Sequence, residues 1–270
     1  MSDGLSVGLL LSGRTMDRWA LETVELARQR ADITIDLVVI NDESAANATP
    51  WERYIGAVSE YGAWAPVLGL HRLVNPPSYL EPIRIDDRPW FERADVLSAR
   101  PEPADGFGQR LPEETVDRIA AADVDLLFRR GFGIIVGDVL TTPTHGVVSF
   151  HHGNIREYRG RSPGVWEFVN GEETAGVTLQ RLAPTLDAGE IIVEKTVAIR
   201  DCRTWQAVRR RLFESSVEML AIACTRLTDP SFEPTVVDDL GPLYSDPDAI
   251  DVLRIEVKNA SGRVQNRLAR

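Results

Sequence analysis

Two apolar runs of strand length, separated by a segment of helix length, open the sequence and constrain its fold most. The runs are Val7–Ser12 and Ile35–Ile40, and residues 17–30 between them place apolar side chains at roughly helical spacing. Such an order predicts two parallel strands in one sheet, because the connecting helix crosses over in the right-handed sense. The sequence therefore predicts an α/β fold with an open, mostly parallel sheet that binds ligands at the carboxyl ends of its strands.

The rest of the chain is predicted as an irregular insertion, a second α/β stretch and a short C-terminal extension. Prolines divide residues 41–110 into short pieces, with a helix near residues 51–61. The apolar side chains of this insertion are expected to pack as a satellite core: Trp64, Leu68, Leu70, Trp90 and Phe91. A helix over residues 111–122 and a strand over residues 124–128 follow. We predict one α/β domain over residues 1–230 and an extension over residues 231–270.

Two later segments complete this prediction. Residues 204–227 form one amphipathic stripe, which predicts a single helix with Arg209-Arg210-Arg211 on its solvated face. Residues 252–257 form a strand-like run within the extension.

Length and charge limit the class of protein and its partners. A chain of 270 residues that is 43% hydrophobic can bury one substantial core. No apolar run reaches 18 residues and no signal-type N-terminus is visible, so we expect a cytoplasmic protein without membrane insertion. The net charge of −11 makes a nucleic acid an unlikely partner, because phosphate binding depends on clustered basic residues. Cys202 and Cys224 lack the spacing of a metal site and are expected to be buried free thiols.

Two short phrases, each placed after a strand-like run, carry the residue types of a reactive site. The first begins at His151-His152 after the apolar run Gly146–Phe150, and the second is Leu186-Asp187-Ala188-Gly189-Glu190 after Gly176–Gln180. An imidazole and a carboxylate on neighbouring strand ends can meet across a sheet, although 36 residues separate them in the sequence. Adjacent strand residues point to opposite faces, so the His151-His152 pair predicts no metal site.

The order of these phrases resembles the folate-dependent formyltransferase family. The matching residues are Ser149-Phe150-His151, Tyr158-Arg159-Gly160-Arg161-Ser162-Pro163, Gly176-Val177-Thr178 and Leu186-Asp187-Ala188-Gly189-Glu190-Ile191. The resemblance implies a Rossmann-like formyltransferase fold, with His151 rather than His152 in the catalytic position. It also implies transfer of a formyl group from 10-formyltetrahydrofolate to an amine. The family has an asparagine at the position of Ser149.

The resemblance assigns roles to residues of this chain. Protonated His151 would donate to the oxyanion of the tetrahedral intermediate, and Asp187 would raise the pKa of the imidazole and relay a proton through water. Ser149 could donate through water, or Asn154 could supply the missing amide, with His152 a weaker substitute. The folate donor would contact the segment after residue 131 and the second phrase, through Phe132, Ile134, Ile135, Val136 and Leu186.

Alternatives of function stay open at this point. Small amines or amino sugars fit the acidic chain better as acceptors than methionyl-tRNA. A hydrolase of 10-formyltetrahydrofolate would need the same His151 and Asp187. A non-catalytic folate or nucleotide-sugar binding protein would keep the fold without turnover.

Overall fold

A seven-stranded sheet forms the centre of the computed structural model, which describes residues 4–42, 55, 58–59, 61–74, 76–160, 162–183 and 189–268. Its strands are, in chain order, β1 (Ser6–Leu11), β3 (Thr34–Asn41), β5 (Asp95–Ala99), β8 (Leu126–Arg130), β9 (Val147–His151), β11 (Thr174–Arg181) and β12 (Glu190–Ala198). Across the sheet they lie in the order β12-β11-β9-β8-β1-β3-β5. The five strands from β9 to β5 are parallel, whereas β11 pairs antiparallel with both β9 and β12. The predicted α/β fold with a mostly parallel sheet is confirmed.

Both faces of the sheet are buried. Along β1, Leu9 and Leu11 belong to one apolar cluster, and Leu10 between them belongs to the second. This arrangement explains why the strand reads as a continuous apolar run rather than an alternating one. Short pairs lie outside the sheet: β2 (Thr15–Asp17) with β4 (Pro82–Arg84), β6 (Glu102–Pro103) with β7 (Gln109–Arg110), and β10 (Arg159–Gly160) with β13 (Leu243–Tyr244).

The helices cover these faces. They are α1 (Arg18–Arg30), α2 (Trp64–Val74), α3 (Pro89–Arg93), α4 (Glu113–Ala121), α5 (Val165–Asn170), α6 (Trp205–Ser216), α7 (Met219–Leu227) and α8 (Ala249–Leu268). Helix α1 packs on α7 and on α6, on the same side of the sheet as Leu9 and Leu11. No helix among the described residues combines the length and apolar character that crossing a membrane requires. Cys224 is buried, Cys202 is half-buried, and both are free thiols.

The segment predicted as an irregular insertion contributes to the main sheet. Its strand β5 pairs in parallel with β3 and forms one edge of the sheet. Trp64, Trp90 and Phe91 are buried in the larger apolar cluster, so they join the main core and not a satellite core. Leu68 packs against this cluster, whereas Leu70 is 57% exposed and its predicted burial is wrong. Most of the predicted helix near residues 51–61 lies outside the described residues.

The predicted single helix over residues 204–227 is two helices. Helix α6 ends at Ser216 and α7 begins at Met219. At the break, the Ser216 hydroxyl donates to the carbonyl of Phe213 at 2.7 Å, and Lys195 Nζ donates to the carbonyl of Ser215 at 3.1 Å. Polar side chains that bind helix carbonyls compete with the backbone ladder and bend or end helices.

The C-terminal run predicted as a strand is part of the 20-residue helix α8. Its buried positions Ile255, Asn259 and Gly262 follow helical spacing. The prediction of a strand was wrong because apolar and polar residues also alternate over residues 252–257. Asp248 begins the helix, since its Oδ1 accepts hydrogen bonds from the backbone N–H groups of Ile250 and Asp251. The division into residues 1–230 and 231–270 stays a prediction.

Asn259 joins α8 to the start of α6. It is fully buried, and its Oδ1 accepts a hydrogen bond of 2.9 Å from the backbone N–H of Trp205. This N–H is one of the first-turn donors of α6 that have no partner within their own helix. Trp205 is held further by its indole N–H, which donates to the Pro163 carbonyl at 2.8 Å.

Replacing Asn259 with alanine should lower the free energy of unfolding by about 1–3 kcal/mol, because it leaves the Trp205 N–H buried without an acceptor. Urea denaturation measured by circular dichroism would give this value. The matched control is Asn266→Ala, an exposed position on the same helix, which should change stability by less than about 0.5 kcal/mol. Equal effects of the two substitutions would contradict the assigned role of Asn259.

Candidate active site

The strand order reverses beside β1, and this reversal opens a crevice at the carboxyl end of the sheet. The chain moves from β1 outward to β3 and β5, then returns to the other side of β1 as β8 and continues to β9. In open α/β sheets, ligands bind where the connections diverge in this way. The ends of β8 and β9 carry Arg129, Arg130, Ser149 and His151 to this edge.

Gly131 allows the turns after β1 and β8 to come together. Its φ is +117°, and a Cβ there would overlap the Ser12 hydroxyl and lie 2.6 Å from the Ser12 backbone nitrogen. A side chain at this position would therefore separate the two strand ends. Gly176 on β11 acts similarly at the other side of β9, because a Cβ there would lie 2.6 Å from the backbone nitrogen of Asn154.

His151 is buried at the end of β9. Its Nε2 lies 2.9 Å from the carbonyl oxygen of Tyr158, and a carbonyl can only accept, so Nε2 carries a proton. Tyr158 is itself held in place: its hydroxyl donates to Glu172 at 2.8 Å and accepts from the Asn170 side chain at 2.9 Å. Burial is the main cause that raises the pKa of Tyr158 to about 12. The imidazole therefore has a fixed tautomer and a fixed orientation.

Ser149 lies two residues before His151 on the same face of β9, and it too is buried. The guanidinium of Arg129 donates to the Ser149 hydroxyl oxygen over 3.2 Å. A hydroxyl that accepts from a cation keeps its own proton available for donation to a third group. The sequence interpretation did not identify Arg129. Its signal is the pair Arg129-Arg130 directly after the apolar run Leu126–Phe128, since charged residues seldom end a buried strand.

A cavity of about 310 Å³ opens at these strand ends. Its lining combines cationic, polar and aromatic side chains with two glycines: Trp19, Arg129, Arg130, Gly131, Gly133, Ser149, Phe150, His152, Pro163 and Phe213. Arg130 forms an ion pair with Asp17, and its Cζ lies 5.5 Å from the centre of the Trp19 ring. The size and mixed lining are typical of a site for a small organic ligand.

His152 points to the opposite face from His151 and is part of an aromatic stack. Its ring stacks on Phe213 and on Phe150, with 3.9 Å and 5.6 Å between ring centres, and the Trp19 ring meets it edge to face at 5.1 Å between centres. Burial, followed by the nearby charge of Arg130, lowers the pKa of His152 well below its usual value. The Ser216 hydroxyl donates to Phe213, so it accepts the Nε2 proton of His152 at 3.2 Å. His152 is therefore a neutral wall of the cavity.

Asn154 faces a different cavity from Ser149. Its Oδ1 accepts a hydrogen bond of 3.1 Å from the backbone N–H of Arg156 and closes a turn. The cavity that it lines, about 170 Å³, also contains Glu167, and its described lining shares no residue with the cavity beside Ser149. The structure therefore does not bring Asn154 to Ser149 as the spare donor, and Arg129 lies in contact with Ser149 instead.

The segment predicted to contact a folate begins in the turn after β8. The side chains of Phe132 and Ile135 are both buried in the second apolar cluster. Neither side chain therefore lines the cavity of about 310 Å³. The carbonyl of Ile134 and the N–H of Val136 are both hydrogen-bonded to the backbone of Gln109 at 2.8 Å. In a parallel bridge of this kind, the backbone groups of the middle residue, Ile135, point away from the partner strand. Hydrogen bonds from this segment to a ligand would thus come from Ile135.

Two predicted site residues, Asp187 and Leu186, lie outside the described residues. The strands that flank them are described: β11 ends at Arg181 and β12 begins at Glu190. Thr178 and Gln180 of β11 pair with His151 and Ser149 across the sheet. Among the residues that the structure describes, no group of His, Cys, Asp and Glu side chains has the arrangement of a metal site.

Glu167 is a buried acid in the cavity that Asn154 lines. It is 3% exposed on α5, and its Oε1 has no hydrogen-bond partner among the described residues. Burial, followed by the charges of Glu157 and Glu172, raises the pKa of Glu167 to about 7. The folded state therefore binds a proton that the unfolded state releases near pH 4.5.

The free energy of unfolding should therefore fall as the pH rises from about 4.5 to 7, by up to about 3 kcal/mol. Glu167→Gln should match the wild type near pH 4 and exceed its stability at pH 8. Urea denaturation at pH 4, 6 and 8 would measure this difference. The exposed Glu173→Gln is the control, and the prediction fails if Glu167→Gln shows the same pH dependence as the wild type.

A comparison with protein families covers the part of the chain that carries this geometry. A family model described as formyl transferase matches residues 98–223, which include β8, β9 and β11. Residues 98–223 belong to the formyltransferase family. The predicted resemblance is confirmed, and His151 and Ser149 both lie within this formyltransferase segment.

Individual relatives agree with this assignment. The chain is similar to the methionyl-tRNA formyltransferase of Thermotoga neapolitana, with 35% identity over 109 residues, 40% of this chain and 35% of that protein. It spans between 34% and 50% of the length of five such curated relatives.

Solved structures share the fold of the formyltransferase segment and its surroundings. Glycinamide ribonucleotide transformylase 1 from Symbiobacterium toebii has a TM-score of 0.55 at 17% identity, over 88% of this chain and 96% of that one. A formyltetrahydrofolate deformylase from Pseudomonas syringae pv. tomato has a TM-score of 0.54 at 16% identity, over 88% of this chain and 67% of that one. At these identities the likeness shows the fold alone.

Proposed function

We propose that this protein transfers a formyl group from 10-formyltetrahydrofolate to the amine of a small acceptor. The observation that carries the proposal is the pair Ser149 and His151 on one face of β9, inside the formyltransferase segment. The name of the deformylase that shares the fold contains formyltetrahydrofolate, which supports a formylated folate as donor. The net charge of −11 supports a small amine or amino sugar as acceptor rather than methionyl-tRNA.

The reaction forms one carbon–nitrogen bond and breaks another. The acceptor amine attacks the formyl carbon and the carbonyl oxygen becomes an oxyanion. When this intermediate collapses, the bond from the formyl carbon to the folate nitrogen breaks, that nitrogen takes up a proton, and the amine has lost one. The protein must stabilise the oxyanion and carry the proton.

His151 is proposed as the group nearest to this chemistry. The hydrogen bond to the Tyr158 carbonyl holds its ring in one orientation, which reduces the reorganisation needed during the reaction. Asp187 is proposed to complete the proton path, as the family motif implies. The backbone of Ile135 is proposed to hydrogen-bond the folate, with Leu186 packing against it, while Phe132, Ile134 and Val136 support the shape of that segment.

Ser149 is proposed as the second donor to the oxyanion. A serine hydroxyl is shorter than the asparagine amide of the family, but Arg129 donates to its oxygen and increases the acidity of its proton. The same guanidinium adds positive charge near the developing oxyanion, in a buried setting where charge interactions are stronger than in water. Arg129 thus acts as a positioning residue through Ser149.

His151→Ala should lower kcat for tetrahydrofolate release by about 10²–10⁴, because it removes the positioned proton donor. The assay is incubation with 10-formyltetrahydrofolate and a panel of amines, followed by measurement of released tetrahydrofolate. His145→Ala is a matched control, since His145 precedes β9 at the opposite end of the strand. Retained turnover in His151→Ala would remove His151 from the mechanism.

The same assay separates the alternative functions. Release that requires an amine identifies a transferase, and release with water alone identifies a 10-formyltetrahydrofolate hydrolase. Absence of release with any acceptor, together with saturable folate binding, identifies a binding protein.

Substitutions of Ser149 test the second donor. Ser149→Ala should lower kcat by about 10²–10³ with little change in KM, because the lost hydrogen bond acts on the oxyanion and not on the bound substrate. Ser149→Asn should keep or increase turnover. Thermal melting of both variants controls for folding, and an unchanged kcat in Ser149→Ala would show that Ser149 is only structural.

A further inference from the structure

Three arginines without acidic partners surround a small cavity beside the candidate active site. The cavity of about 40 Å³ lies between α2 and α6 and is lined by Arg72, Tyr79, Arg209 and Arg210, together with His71, Gln206 and apolar groups. Among the described residues, none of these three guanidinium groups forms an ion pair or hydrogen bond, although the chain carries an excess of acids. Arg72 and Arg210 are exposed to solvent, whereas Arg209 is half-buried. Cations that line one cavity together attract an anion to it.

Arg209 is the most informative of the three. Its Nε is buried and has no hydrogen-bond partner in the described structure. Its Cζ lies 5.3 Å from the centre of the Trp205 ring and 5.7 Å from that of Phe213. Burial is the first cause that lowers the pKa of Arg209, so the protein holds this cation at a cost in free energy. The sequence pattern predicted a solvated face for residues 209–211, and for Arg209 that prediction is wrong.

Two acids close to the cavity have other partners. Glu256 accepts from Asn259 at 2.9 Å and contacts His71 Nε2 at 3.2 Å. Gln206 donates its amide hydrogen to the His71 ring at 2.9 Å. Asp17 is paired with Arg130 at the neighbouring cavity. Asp17 and Glu214 also act electrostatically on Tyr79 from a longer distance. No described acid, however, forms an ion pair with any of the three arginines of the cavity.

Tyr79 supplies a neutral donor to the same cavity. It is buried, and burial is the main cause that raises the pKa of its phenol, so the hydroxyl keeps its proton at neutral pH. Arginines of two helices and one tyrosine hydroxyl line the cavity together. Several donors of this kind suit the oxygens of a tetrahedral phosphate better than a carboxylate, which has only two. The volume exceeds the roughly 10–15 Å³ that one water needs, and it suits one such group.

One aromatic ring separates this cavity from the candidate active site. Phe213 lies 5.1 Å from the ring of Tyr79 and is stacked at 3.9 Å on His152, which lines the site. We propose that Tyr79, Arg72, Arg209 and Arg210 bind a phosphate group of the amine acceptor. The link to the acceptor rests on the proposed formyl transfer, whereas the phosphate site itself does not.

Calorimetric titration with inorganic phosphate, without folate, tests the site. The wild-type protein should bind phosphate saturably, and Arg209→Gln should bind it about ten- to a hundredfold more weakly, since a charged hydrogen-bond donor is lost. Arg210→Gln, at an exposed position that tolerates substitution, should weaken binding in the same direction if Arg209→Gln does not fold. The matched control is Arg211→Gln on the same helix, because Arg211 pairs with Asp201 and not with this cavity; its affinity should stay within about twofold to threefold of the wild type.

Three results would overturn the phosphate site. They are absence of saturable phosphate binding to the wild type, unchanged affinity in both Arg209→Gln and Arg210→Gln, and acetate binding as tightly as phosphate at equal ionic strength. Phosphate binding that depends on Arg209 in a protein that never releases tetrahydrofolate would refute the formyl transfer and keep the site. Release of tetrahydrofolate without phosphate binding would refute the site and keep the transfer.

Discussion

The close contact between the turns after β1 and β8 is the constraint on which the candidate active site depends. Gly131 lies against Ser12 where a Cβ would not fit, so the two strand ends meet although the chain leaves them in opposite directions. Parallel pairing of β1 with β3 and with β8 then fixes how far each of these strands extends towards the carboxyl edge of the sheet. As a result, Arg129 of β8 reaches the same edge as Ser149 and His151 of β9, although about 20 residues separate it from them in the sequence.

Aromatic side chains hold the cations of this region in an acidic protein. Trp19 lies under Arg130, and Trp205 and Phe213 lie against Arg209. A cation over an aromatic face gains about 0.5–2 kcal/mol, which offsets part of the desolvation penalty of a buried guanidinium. Phe213 connects the two cavities, because it also stacks on His152 and contacts Tyr79. These cations would attract a negatively charged ligand to this region, although the net charge of the whole chain is negative.

The sequence predicted the parts of the fold that depend on strong local patterns. The apolar runs of β1, β3 and β9 were recognisable because burial on both faces of the sheet removes most polar residues from them. Helix α1 was recognisable because its apolar residues recur at helical spacing. Strand β5 was missed because prolines surround it, and α8 was mistaken for a strand because residues 252–257 also alternate with a period of two. At the break between α6 and α7, the Ser215 carbonyl binds Lys195, a residue of β12 that no local pattern connects to Ser215.

The sequence by itself identified residues 98–223 as a formyltransferase segment and predicted the order of the site residues, because the motif around His151 lies within one continuous stretch. It also determined that His151 and His152 face opposite ways, since the pleat of a strand alternates side chains. Only the tertiary structure decided that Arg129 supports Ser149, that Asn154 lines another cavity, and that Arg209 is buried beside Tyr79. Those facts depend on contacts between segments distant in sequence, and the packing of strands and helices against one another, rather than local propensity, sets such contacts.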